Sequence, residues 1–144
     1  MNNNLLKKLL SFTISFCTGL FLITYLLKLP NYLSNNNKIV TEYYKDNYLT
    51  NVPLDYLFVL IYLLIAEGII NKLKIKNIEM KLLIVAITTC ILTGGFCYYF
   101  NAYKMTTNFF SRWFHTVGYI SIVYDVILLL VIYSIYLYLQ KYIN

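Results

Sequence analysis

Four apolar runs dominate the chain: Leu9 to Leu29, Leu54 to Ile70, Leu82 to Phe100, and Val117 to Leu139, separated by polar punctuation. Each is near the roughly 17 to 25 residues that a helix needs to cross about 30 Å of hydrocarbon. Spans of a β-barrel would instead show alternating segments of about 10 residues, and none is seen. The expected fold is therefore an all-α membrane protein, an antiparallel four-helix transmembrane bundle formed by residues 1–144 as a single domain. Composition points the same way. The chain is 60% hydrophobic and 12% charged, with a mean hydropathy of +0.62, whereas soluble domains are about 45 to 50% apolar and about 25% charged.

Lys7 and Lys8 ahead of the first run imitate the start of a secretory signal. The run is longer than an h-region of about 7 to 15 residues, however, and no small-residue cleavage site follows it, so it is read as the first span. The net charge is +6, and the basic residues sit in short loops beside apolar runs. That pattern points to anionic lipid headgroups as partners and to topology control. Nucleic-acid binding would need a basic face on a soluble module, which the chain lacks. Seven basic residues (Lys7, Lys8, Lys72, Lys74, Lys76, Lys81, Lys141) fall on one side of the spans, against five (Lys28, Lys38, Lys45, Lys104, Arg112) on the other. The positive-inside rule then puts both termini in the cytoplasm. The chain contains no Asn-x-Ser/Thr acceptor.

The connection from Pro30 to Val52 opens with an Asn cluster that reads as exposed loop. Ile39, Val40, Tyr43, Tyr44 and Tyr48, interleaved with charges, suit either a short amphipathic helix at the membrane surface or an irregular Tyr-rich loop. Asn51 and Pro53 read as the cap and first-turn proline of the second span. Small residues let helices approach closely in lipid, and three stripes offer this: Ser11, Ser15 and Gly19; Ala86, Cys90 and Gly94; Gly118, Ser121 and Asp125. The three cysteines, Cys17, Cys90 and Cys97, lie in apolar runs and read as small packing residues. Nothing in their spacing suggests a metal site or cofactor. Cys90 and Cys97, roughly 10 Å apart on one helix, are too distant for a disulfide. Aromatics crowd the span ends, Tyr98, Tyr99, Tyr103, Phe109, Phe110, Trp113 and Phe114 at one interface and Tyr136, Tyr138 and Tyr142 at the other. An aromatic belt at headgroup level is favoured over a ligand cage.

Depth decides which acids matter. Counted from the run edges, Asp55 lies a few ångströms below the outer surface, Glu67 roughly 5 Å from the inner one, and Asp125 roughly 12 Å deep. Asp55 and Glu67 can reach water or headgroups, with Lys72 near Glu67. Asp125 alone is deep, where an ionised Asp costs about 2.5 to 3.5 kcal/mol on insertion scales. Arg112 is about 20 Å away along the same helix and cannot pair with it. Matching depths across the bundle brings Tyr62, Thr89 and Thr93 near Asp125, with Thr24 a little shallower. The expectation is a neutral Asp125 held by these hydroxyls. The first reading of it is polar glue fixing helix register; a proton or cation pathway is the alternative. Arg112, Trp113 and His115 are expected to anchor the fourth span at the interface, with a pH-sensitive cluster as the second reading of His115. Ser111, His115 and Asp125 make no hydrolytic triad, because the acid is roughly 15 Å from the imidazole. No phosphate-binding glycine loop and no HExxH zinc motif is present.

The stretches NFFSRWFHTVGYISIVYDVILLL and NVPLDYLFVLIYLLIAEGI resemble a group of small, uncharacterised multi-span membrane proteins encoded by large DNA viruses. Abundant Asn, Lys, Ile, Tyr and Phe fit an AT-rich genome. The resemblance implies a virion or infected-cell membrane as location and carries no catalytic residues with it. The expected role is thus a structural or interaction component of a membrane, able to form homo-oligomers or to meet other membrane proteins, and not an enzyme. A small oligomeric ion or proton channel built around Asp125, Thr89 and Thr93 is the alternative.

Overall fold

The computed structural model describes residues 3–143, with side chains from Leu5 to Tyr142, and the described chain is helical apart from short connections. Helix α1 (Asn3–Leu20) runs on into a π-helical segment, Phe21–Leu26. Two short helices follow, α2 (Leu29–Ser34) and α3 (Asn37–Thr41), the second passing into another π segment, Glu42–Asp46. Then come α4 (Tyr48–Lys72), α5 (Ile78–Ala102), the short α6 (Phe109–Val117) and α7 (Ile120–Ile143). Four segments are long and apolar enough to cross a membrane: Leu5–Leu26, Tyr48–Lys72, Ile78–Ala102 and Ile120–Tyr142. The four-span, all-helical expectation holds, but the span edges move.

Each shift has a local cause. The first span stops short of Leu29 because Lys28 turns left-handed, at φ 51°, and Pro30 then starts α2 within what was expected to be exposed loop. Its π segment is closed by Leu27 N–H donating five residues back to the Leu22 carbonyl, at 2.9 Å. The second span starts at Tyr48, six residues before Leu54. Asn51 and Pro53 are therefore not its cap and first turn: Asn51 is buried and donates its side-chain amide to the Tyr43 carbonyl, at 3.2 Å. Asn77 accepts from Glu79 N–H at 2.8 Å and caps α5, so Ile78 to Lys81 join the third span. Gly118 breaks the fourth, at φ 60° and ψ −143°, a conformation that suits only glycine. Residues 109–117 thereby become a separate helix instead of a lead-in to α7.

Helix α7 sits at the centre, with Ile132 and Tyr133 wholly buried. It meets α1 at Gly19, where a Cβ would lie 2.5 Å from Ile132 Cγ1, and Thr24 Oγ1 is 2.7 Å from Tyr124 Oη. Tyr56 joins α4 to α1 by a hydrogen bond to Thr13, at 2.9 Å, and by ring contacts with Phe12 and Phe16. Of the expected small-residue stripes, Ser11, Ser15 and Gly19 face inward. The α5 stripe does not: Cys90 is exposed, and the inward row is Val85, Thr89, Thr93 and Cys97, one residue out of register. Cys17 is exposed as well, so only Cys97 is a buried packing residue. Large apolar side chains such as Leu10, Leu64 and Ile91 point outward, as lipid-facing residues would.

The segment 37–46 is helical, as one of the two expected alternatives has it, and amphipathic, with Lys38, Lys45 and Asp46 exposed. Ile39, Val40, Tyr43 and Tyr44 are all buried and turned into the bundle, plugging the end where α6 also lies. This end is called the collar end below, and the end carrying the Lys72–Ile78 turn the lysine end.

Candidate functional site

At the collar end, α4, α5, α6, α7 and the 37–46 plug enclose a cavity of about 150 Å³. Asp125 lines it, and so does Asp55. Asp55, expected near the surface, is only partly exposed, and its Oδ2 is shut off from solvent. With α4 starting at Tyr48 and α7 at Ile120, Asp55 is roughly 10 Å and Asp125 roughly 8 Å along their helices, so the two acids come to similar depth.

The two carboxylates differ in their partners. Asp125 Oδ2 accepts from Thr93 Oγ1 at 2.7 Å, and Tyr62 Oη lies 3.4 Å from the same Thr93 oxygen. These are two of the three hydroxyls expected near Asp125. The third, Thr89, is fully buried but donates to the Val85 carbonyl of its own helix, at 2.8 Å. Thr24 instead joins a chain in which Tyr44 Oη donates to Tyr124 Oη, at 2.9 Å, with Thr24 Oγ1 2.7 Å beyond. Asp55 Oδ1 accepts a very short hydrogen bond from Tyr43 Oη. Its Oδ2 is shut off from solvent and has no partner among the described residues.

Aromatic rings form the walls. Trp113 packs on Tyr43 with ring centroids 4.9 Å apart, and Phe114 stacks on Phe100 at 5.3 Å. Trp113 and Phe114 are thus core residues of the collar end, whereas Tyr98, Tyr99 and Tyr103 do point outward as a belt would. Burial pushes the Tyr43 and Tyr44 phenols well above their ordinary range, and the Asp55 charge adds to this at Tyr43.

Arg112 has a partner within the protein. Its guanidinium takes the Glu42 carboxylate in a two-pronged ion pair, Nη1 to Oε2 at 2.9 Å and Nη2 to Oε1 at 2.5 Å, and lies 5.5 Å from the Phe109 ring centre. The guanidinium hydrogen bond holds the Glu42 carboxyl below its usual value. His115 stands between two carbonyls, Ser111 O at 2.7 Å from Nδ1 and Tyr103 O at 3.1 Å from Nε2, and so ties the α5–α6 connection to α6. It does not line the cavity. At the lysine end, Glu67 accepts from Tyr133 Oη at 2.6 Å, a tyrosine on α7 where a lysine was expected. Among the described residues, no group of three or more His, Cys, Asp or Glu side chains is placed to hold a metal.

The arrangement can hold a positive charge or a proton near two partly buried carboxylates. No protein-family model, curated protein or solved structure matches the chain.

Proposed function

We propose that the chain is a multi-pass integral membrane protein that works as a structural or interaction component of a membrane and not as an enzyme. One observation carries this reading: the collar-end cavity shares no lining residue with the cavity at the lysine end. Ala66, Ile70, Val85 and Ile132 are almost wholly buried and line neither the collar-end cavity nor this second one, of about 170 Å³, between α1, α4 and α7, whose lining includes Leu63, Glu67 and Tyr133. A single protomer of this shape is a packed bundle with a separate chamber toward each end. An antiparallel arrangement belongs to the reading and is supported by the pairs Gly19–Ile132 and Thr24–Tyr124, which rise along α1 as they fall along α7.

The channel reading draws on one feature, the Tyr62–Thr93–Asp125 series of hydroxyls and carboxylate. Against it, Thr89 and Thr93 are buried inside the protomer and could not line a pore between protomers without repacking. Reconstitution in liposomes separates the two. Ion or proton flux no greater than in empty vesicles is expected; flux abolished by Asp125→Asn would overturn the reading.

The setting we propose is a virion or infected-cell membrane, as the viral resemblance implies, and immunogold labelling of infected cells tests it. Both termini are proposed to be cytoplasmic, with exposed Lys72, Lys74 and Lys76 toward anionic headgroups. Tyr32 and Lys76 are exposed on opposite sides of the spans and can carry single thiols. An impermeant reagent should reach Tyr32→Cys from outside and Lys76→Cys only from the cytoplasm; the reverse pattern would invert the topology.

A further inference from the structure

The collar-end cavity is not an ordinary packing defect. Its lining includes two carboxylates and no Lys, Arg or His. Arg112, on the helix that closes the cavity, is already committed to Glu42. Asp55 Oδ2 is enclosed and lacks a donor. A carboxylate oxygen kept from water without a partner is costly, and a bound N–H group removes that cost. Around the acids stand aromatic side chains, Trp113, Phe96 and Phe100 among them, with Phe114 stacked between the two phenylalanines. Ring faces beside a carboxylate are the chemistry that recognises an ammonium ion. A space on the order of 150 Å³ takes a molecule about the size of benzene, which suits an ammonium group carrying a few carbons.

We propose that this cavity binds a primary ammonium group, supplied by a small free amine or by a lipid headgroup. The Asp55 carboxylate accepts its N–H, Asp125 lends a second carboxyl group, and the rings of Trp113 and Phe100 cover its methylene carbons. A quaternary ammonium fits less well, since it has no N–H to give to Asp55. The proposal rests on the reading of the chain as an interaction component and gives that component a ligand.

Trp113 is the chain's one tryptophan and lines the cavity, so its emission reports occupancy. The purified protein in detergent micelles is titrated with ethylammonium chloride, with sodium chloride at equal ionic strength, with 1-propanol and with tetramethylammonium chloride. A saturable change is expected with ethylammonium, about tenfold weaker with tetramethylammonium and absent with the salt and the alcohol. Asp55→Asn should weaken ethylammonium binding by about tenfold or more, while Asp46→Asn, at an exposed acid, should not. Should Asp55→Asn lose its helical circular dichroism, Asp125→Asn takes its place, and the contrast between the two cations on the unaltered protein stands without any variant. No response to ethylammonium, an equal response to propanol or sodium chloride, or tighter binding of tetramethylammonium would overturn the proposal. Nanodiscs identify the source: a Trp113 shift in phosphatidylethanolamine that free ethylammonium must compete against assigns the headgroup, and identical titrations in phosphatidylethanolamine and phosphatidylcholine assign the free amine. Binding is read without any flux, so its failure leaves the liposome result untouched.

Discussion

Arg112 and Glu42, 70 residues apart in sequence, form a bidentate ion pair that fastens α6 to the 37–46 plug over the cavity. Both side chains are partly exposed, so the pair is screened and modest in strength. Arg112→Lys keeps the charge but loses the fork, and should lower the thermal midpoint in detergent by about 1 to 3 °C. The pH dependence has a definite sign. The folded carboxyl of Glu42 titrates below its ordinary 4.5, so the pair's contribution is complete above that pH and fades as pH falls through the lowered value. Melting curves from neutral pH to about 3 should show this loss in the unaltered protein and lack it in Glu42→Gln.

Thr93 and Thr89, one turn apart on α5 and equally buried, should respond differently to the same substitution. Thr93→Val strips Asp125 Oδ2 of its donor and should cost about 1 to 2 kcal/mol. Thr89→Val removes only a hydroxyl bonded back to its own helix, and should cost about half as much or less. Unfolding titrations with sodium dodecyl sulfate in mixed micelles compare them. Equal losses would mean that the Thr93–Asp125 bond contributes nothing to the fold.

How much was legible follows from what each inference needed. Counting residues from Asp125 across facing helices found Tyr62 and Thr93, because depth alone decides those neighbours. It could not separate Thr93 from Thr89, since a threonine at the right depth has its own helix's carbonyl as a competing partner. Asp55 was missed for a different reason: Pro53 looks like a helix start, yet α4 begins at Tyr48, and a helix boundary is the least certain part of an apolar pattern. Trp113 and Phe114 have the same composition signature whether they face headgroups or the bundle. The Glu42–Arg112 pair joins two connections that the hydropathy pattern leaves unplaced, and no local rule brings them together.

Gly118 makes the corner between α6 and α7, and its φ of 60° with ψ of −143° is open to glycine and strained for other residues. A Cβ there meets nothing closer than the Phe114 carbonyl, at 4.0 Å, so the cost of Gly118→Ala is backbone strain without a clash. The expected loss is about 1 to 3 kcal/mol. Because the corner sets the position of Trp113, its emission spectrum should shift as well. An unchanged stability and spectrum would show that the corner is not constrained as described.

Gly19 brings α1 and α7 together closely enough that an added methyl would sit 2.5 Å from Ile132 Cγ1 and 3.5 Å from the Ile132 backbone. Ile132 is wholly buried and cannot swing clear. Gly19→Ala should therefore destabilise the bundle by about 1 to 3 kcal/mol through overpacking. Ile132→Ala alone should cost about 2 to 5 kcal/mol by leaving a cavity. In the double variant the new methyl moves into space vacated by the isoleucine, so the combined loss should fall short of the sum by about 0.5 kcal/mol or more. Strict additivity in the same micelle titrations would mean that the two side chains do not share that space and that the α1–α7 contact lies elsewhere.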